Sequence, residues 1–144
     1  MTHARTQIRN AVITAVTGLA TTGSRVFEGR IYPLATDELP ALCVYTLNES
    51  SERISTTSLQ RDLELVVEAY VHTSVRYDEL LDSIATEVET AIAANAALQA
   101  LVKDITPVQF QKDLMKEGDK TIAVAILTFR CIYITHPSNP ETIK

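Results

Sequence analysis

The side chains of this sequence best placed to do chemistry are its carboxylates. Glu64 and Glu68 share one face of an alternating run, and Asp78 and Asp82 stand one helical turn apart. Either pair could offer oxygen ligands to a hard cation. The same spacing also makes an ordinary solvated or subunit-facing acidic surface, and no Asp-rich ligand loop accompanies it. We therefore assign no metal. His72 and Asp78 can be drawn as a base and its orienter, but two such residues near a helix start arise by chance, so no catalytic residue is assigned. Cys43 and Cys131 lie in strand-like apolar runs without CxxC spacing and read as small buried hydrophobes. Only four glycines occur, at Gly18, Gly23, Gly29 and Gly118, so neither phosphate-cradling fingerprint can be written. GxSxG and HExxH are absent as well. The expectation is a protein that is not an enzyme and takes no cofactor.

Bulk properties agree with an interaction protein. The 144 residues make one domain, 1–144, with 46% hydrophobic and 22% charged residues. A net charge of -5 argues against a polyanion as a specific partner, though not against DNA passing nearby. No apolar run reaches the roughly 20 residues of a membrane span, and the first residues lack a signal-peptide core, so synthesis in the cytoplasm is expected.

The elements that must position these groups follow from periodicity. Ile8, Val12, Val16 and Leu19 predict a helix over Thr6–Leu19, ended by Gly18 and Gly23. RVFEGRIY (25–32) reads as a short strand closed by Pro33, and ALCVYTLNE (41–49) as a second. Residues 48–59 are polar, without Gly or Pro, and are expected to form a flap or loop that orders on a neighbour. The following strand sets Leu63, Leu65, Val67, Ala69 and Val71 on one face, and Asp62, Glu64, Glu68, Tyr70 and His72 on an outward one. Thr73 or Ser74 is expected to cap a helix over Val75–Ala94 with the stripe Tyr77, Leu80, Leu81, Ile84, Val88, Ile92 and an acidic outer face. LQALV (98–102) adds one turn. Strands VKDITPVQFQKDLM and TIAVAILTFRCIYIT, joined at Gly118, finish the domain, and 137–144 is a polar tail. The fold class is α+β, a mixed or antiparallel sheet of about five strands with two main helices packed on it, in the order αβββαββ.

This layout resembles the minor tail protein U family of long-tailed bacteriophages, the tail terminators. The resemblance is carried by the first amphipathic helix, the FEGR turn (27–30), LPALCVY (39–45), DLELVVEAYV, the acidic DELLDSIATEVETAI helix and the closing hairpin. Gly29, Arg30, Pro40 and Tyr45 match the family's pattern as turn and strand positions. The resemblance implies a virion protein that forms a hexameric ring at the head-proximal end of the tail, caps the tube of major tail protein and joins a head–tail connector or neck protein. It implies no membrane and no specific nucleic-acid contact, although DNA passes through the ring. Other readings are a different connector or neck completion protein, or a small hotdog-like enzyme or ligand-binding domain, which would wrap its sheet around one central helix.

Within that reading the charged elements are the candidate surfaces. Interface candidates are Arg5, Arg9, Glu49, Glu52, Arg53, Ile54, Asp78, Asp82 and Glu87. The acidic helix and the arginines of the first helix are expected to meet across subunits. Asp62, Glu64 and Glu68 are candidates for the lumen, where like charge repels a polyanion.

Overall fold

The computed structural model of the chain describes residues 2–29, 39–73, 76–117 and 120–144. The end of the strand expected at 25–32, with Arg30 and Pro33, the start of the following loop, Ser74 and the turn at Gly118 lie outside the described residues. The chain forms an α+β domain in the order α1 (Ala4–Val16), β1 (Val26–Glu28), β2 (Ala41–Arg53), β3 (Leu59–His72), α2 (Tyr77–Ala94), α3 (Ala96–Leu101), β4 (Asp104–Glu117), β5 (Lys120–His136) and β6 (Asn139–Ile143).

The strands make one mixed sheet in the order β1-β2-β3-β5-β4, with β6 paired to β5. Among the described residues only β1 and β2 run parallel; every other pair is antiparallel. The β3–β5 ladder is unbroken from Leu59↔Thr135 to His72↔Ile122. Each flanking strand slips once, β2 between Thr46 and Glu49 and β4 between Pro107 and Gln109. Thr46, Leu65, Phe129 and Pro107 form one transverse row, so both bulges adjoin the same row. A bulge sharpens local twist, and two at one level curl the sheet there.

All three helices contribute to the core on one face of that sheet. The stripe Ala4, Ile8, Val12, Val16 of α1 and Leu81, Ile84, Val88, Ile92 of α2 is buried against Leu63, Leu65, Val67, Leu127, Phe129 and Tyr133. Each fully buried Leu, Ile or Val contributes about 1.5–3 kcal/mol, so this single interface dominates stability. α1 starts two residues earlier than its apolar period suggests, because the His3 ring Nδ1 accepts the Arg5 amide at 3.0 Å and caps it. The expected cap of α2 is not made by Thr73, whose hydroxyl donates to the Thr121 carbonyl at 3.0 Å. Asn95 ends α2 and caps α3, its side chain accepting from the Leu98 amide at 2.8 Å.

Two segments expected to be irregular are strands. Residues 48–53 extend β2, pairing from Glu49↔Leu63 to Arg53↔Leu59, so the polar stretch is the far end of a hairpin turning over 54–58. Residues 139–143 form β6. In both, backbone pairing supplies what the side-chain pattern lacks.

The other face of the sheet carries a smaller apolar cluster. Ala41, Cys43, Tyr70, Ile122 and Val124 are buried there with Phe27, Leu39 and Met115 packed against them. That face therefore divides into a buried portion near β1 and a polar portion near the bulges.

Candidate assembly surfaces

The carboxylates and arginines singled out in the sequence mostly find partners within the chain. The first group lies where the N-terminus of α1 meets the sheet. Glu49 on β2 is 11% exposed and accepts from Arg5 Nη1 at 2.6 Å and Arg61 Nη1 at 3.0 Å. The Tyr133 hydroxyl on β5 donates to the other Glu49 oxygen, and Arg61 Nε reaches Thr135 at 3.0 Å. Burial would raise the Glu49 pKa, yet the hydrogen bonds from Tyr133, Arg61 and Arg5 outweigh it and hold the carboxyl below its ordinary value. Burial first, and then the bond to Glu49, push the Tyr133 phenol well up. Glu49 is thus an internal strut and not the surface group expected of it. Arg61, absent from the sequence candidates, is its second cation.

The other helix charges are answered nearby as well. Arg9 meets Glu28 at 2.8 Å. Lys112 of β4 sits between Asp78 at 3.1 Å and Asp82 at 3.0 Å on α2, the place a cation would take. Its hydrogen bond to Asp82 leads the effects that raise its pKa. Glu87 accepts the amide and hydroxyl of Thr21, at 3.0 and 2.6 Å, and so ties the loop after α1 to α2. Of the interface candidates, Glu52, Arg53 and Ile54 stand exposed at the hairpin tip.

The three lumen candidates separate. Glu68 is 3% exposed and accepts hydroxyl bonds from Tyr45 and Tyr70. The outward position expected for it is wrong, because the sheet curls and the cluster around Tyr70 covers this end of the face. Asp62 and Glu64 lie towards the bulges, on an open groove shared with Asn48, Ser50, Gln109 and Arg130. Asp62 is paired there with Arg130 at 2.7 Å.

The feature that sequence reasoning passed over is apolar. Val108, Phe110 and Leu114 of β4, with Leu47 of β2 and Ile54 of the hairpin turn, are the exposed large hydrophobics among the described residues, each between 45% and 55% exposed. The alternation of Val108 and Phe110 was legible; that β4 would be an edge strand was not.

A family model for phage minor tail protein U matches residues 3–133 of the chain. The chain belongs to the phage minor tail protein U family. It covers α1 through most of β5, including both bulged strands and the Glu49 and Glu68 clusters. This minor tail protein U is accordingly a structural protein of the phage tail, associated with the virion. No protein of curated function matches it. Among the described residues no helix is long and apolar enough to cross a membrane.

Proposed function

We propose that this minor tail protein U terminates the tail: copies close into a hexameric ring that caps the head-proximal end of the tube of major tail protein, ends its polymerisation and presents the surface for a head–tail connector or neck protein. The family match over residues 3–133 carries the reading. The fold supports it in one respect. The helical core lies on one face of the sheet, which leaves the polar portion of the other, with Asp62 and Glu64, free to line a channel. Acidic groups on such a wall repel DNA in transit without a specific contact.

Electron microscopy of the purified protein, alone and mixed with tail tubes, tests this. Annular particles seated on one end of tubes of uniform length are expected. Monomers in solution together with bare tube ends would overturn it.

A further inference from the structure

We propose that the tip of the β2–β3 hairpin of one subunit docks in the groove between α2 and β4 of the next, with Ile54 seated against Val108 and Phe110 and Arg53 paired with Glu89. The inference rests on the ring reading and names the contact that closes it, its occupant being a second copy of this chain.

The receiving surface is built from β4 and the flank of α2. Val108, Phe110 and Leu114 stand about half exposed. Beside them runs a groove walled by Pro107, Val108, Phe110, Leu127 and Glu89. Lys112 lies 5.7 Å from the Phe110 ring centroid and is held by Asp78 and Asp82, which steadies this wall. Those two carboxylates of α2 are thus taken; Glu79 meets Arg76 at 3.7 Å, and Glu87 holds Thr21. Among the described residues Glu89 is the α2 carboxylate left without an ion pair or hydrogen bond, and it stands exposed at the rim of the groove.

The hairpin tip carries the complementary chemistry. Ile54 is 49% exposed. Arg53 beside it is, among the described residues, the arginine whose side chain makes no ion pair or hydrogen bond, and it too is exposed. An arginine next to an apolar anchor is the composition of a binding hot spot. The tip is also held in shape. The Ile54 and Ser55 amides donate to the Ser58 carbonyl at 3.0 and 3.3 Å, and Lys144 Nζ donates to the Thr57 carbonyl at 2.7 Å and to Ser58 Oγ at 3.0 Å. A segment already ordered loses little conformational entropy on docking.

Tip and groove do not meet within one chain. Leu59, at the base of the tip, pairs with Thr135, whereas Phe110 pairs with Leu127, roughly 26 Å further along β5 at the rise of a strand. A tip in the groove is therefore a contact between copies. A contact between two different surfaces of one chain is head-to-tail and closes into a ring when the rotation allows.

The test is a charge exchange in the full-length chain, with association followed by analytical ultracentrifugation. Arg53→Glu and Glu89→Arg each set like charges against one another and should weaken association at least about tenfold. The double variant should recover to within about threefold of the parent, because the pair is restored with its signs reversed. Ile54→Asp should weaken association as the single charge variants do. All these positions are exposed, so thermal melts should match the parent. Rings indifferent to the single changes overturn the contact and leave the ring reading standing. Single losses that the double variant does not recover overturn the pairing of Arg53 with Glu89. Normal rings that no longer cap tubes overturn it as well, since the tip would then serve the tube protein. A chain that stays monomeric alone and on tail tubes removes both readings.

Discussion

Glu49 and Tyr133 lie on strands separated by β3, yet the Tyr133 hydroxyl donates to the Glu49 carboxylate across it. Arg61 of the intervening strand completes the span, and Arg5 brings in α1. One carboxylate thus fastens a helix end to three strands. Tyr133→Phe removes one donor to a charged group and should cost about 1.5–3 kcal/mol, read as a lower urea midpoint at unchanged slope.

Acid should loosen the same corner in two steps. His3 has its pKa lowered by burial and by Arg5, so the neutral ring that caps α1 stabilises above pH 6.5 and is lost as pH falls through the lower folded value. Glu49, also lowered, contributes above pH 4.5 and is lost below it. A urea midpoint that falls first below pH 6.5 and again below pH 4.5 is expected. His3→Asn should remove the first step only.

Glu68 and Glu64 should respond oppositely to the same change. Glu68→Lys buries a cation beside Tyr45 and Tyr70 and is expected to destabilise by about 3–5 kcal/mol or prevent folding. Glu64→Lys, on the open groove, should stay within about 0.5 kcal/mol of the parent. Thermal melts of the two purified variants decide it.

Neither cysteine should react in the folded protein. Cys43 and Cys131 are buried, and burial pushes the Cys131 thiol up to about 12. A colorimetric thiol reagent should label both at the rate of global unfolding, with no fast phase.

The apolar half of this fold was legible because it is local. The stripe of α1, the stripe of α2 and the odd positions of β3 all pack as their periods predict. The misreadings are long-range. Residues 48–53 carry no apolar alternation, and only the register against β3 makes them a strand. Nothing near Glu68 in the sequence indicates that Tyr45 would reach it, and Glu49 finds partners 44, 12 and 84 positions away. An arginine such as Arg61 looks like any solvated cation until its neighbours across the sheet are known.

The order of the strands also bears on biosynthesis. β5 inserts between β3 and β4, both of which precede it in the chain, and partners such as Leu59 and Thr135 are far apart in sequence. Pairing at such separations is slow to form. A nascent chain halted before Ile122 has its first hairpin but no strand to hold β4 in the sheet. The β4 edge therefore comes into being only after β5 has emerged from the ribosome. Incomplete chains therefore carry β4 as a segment with no place in the sheet, and timing alone decides when that side of the sheet is built.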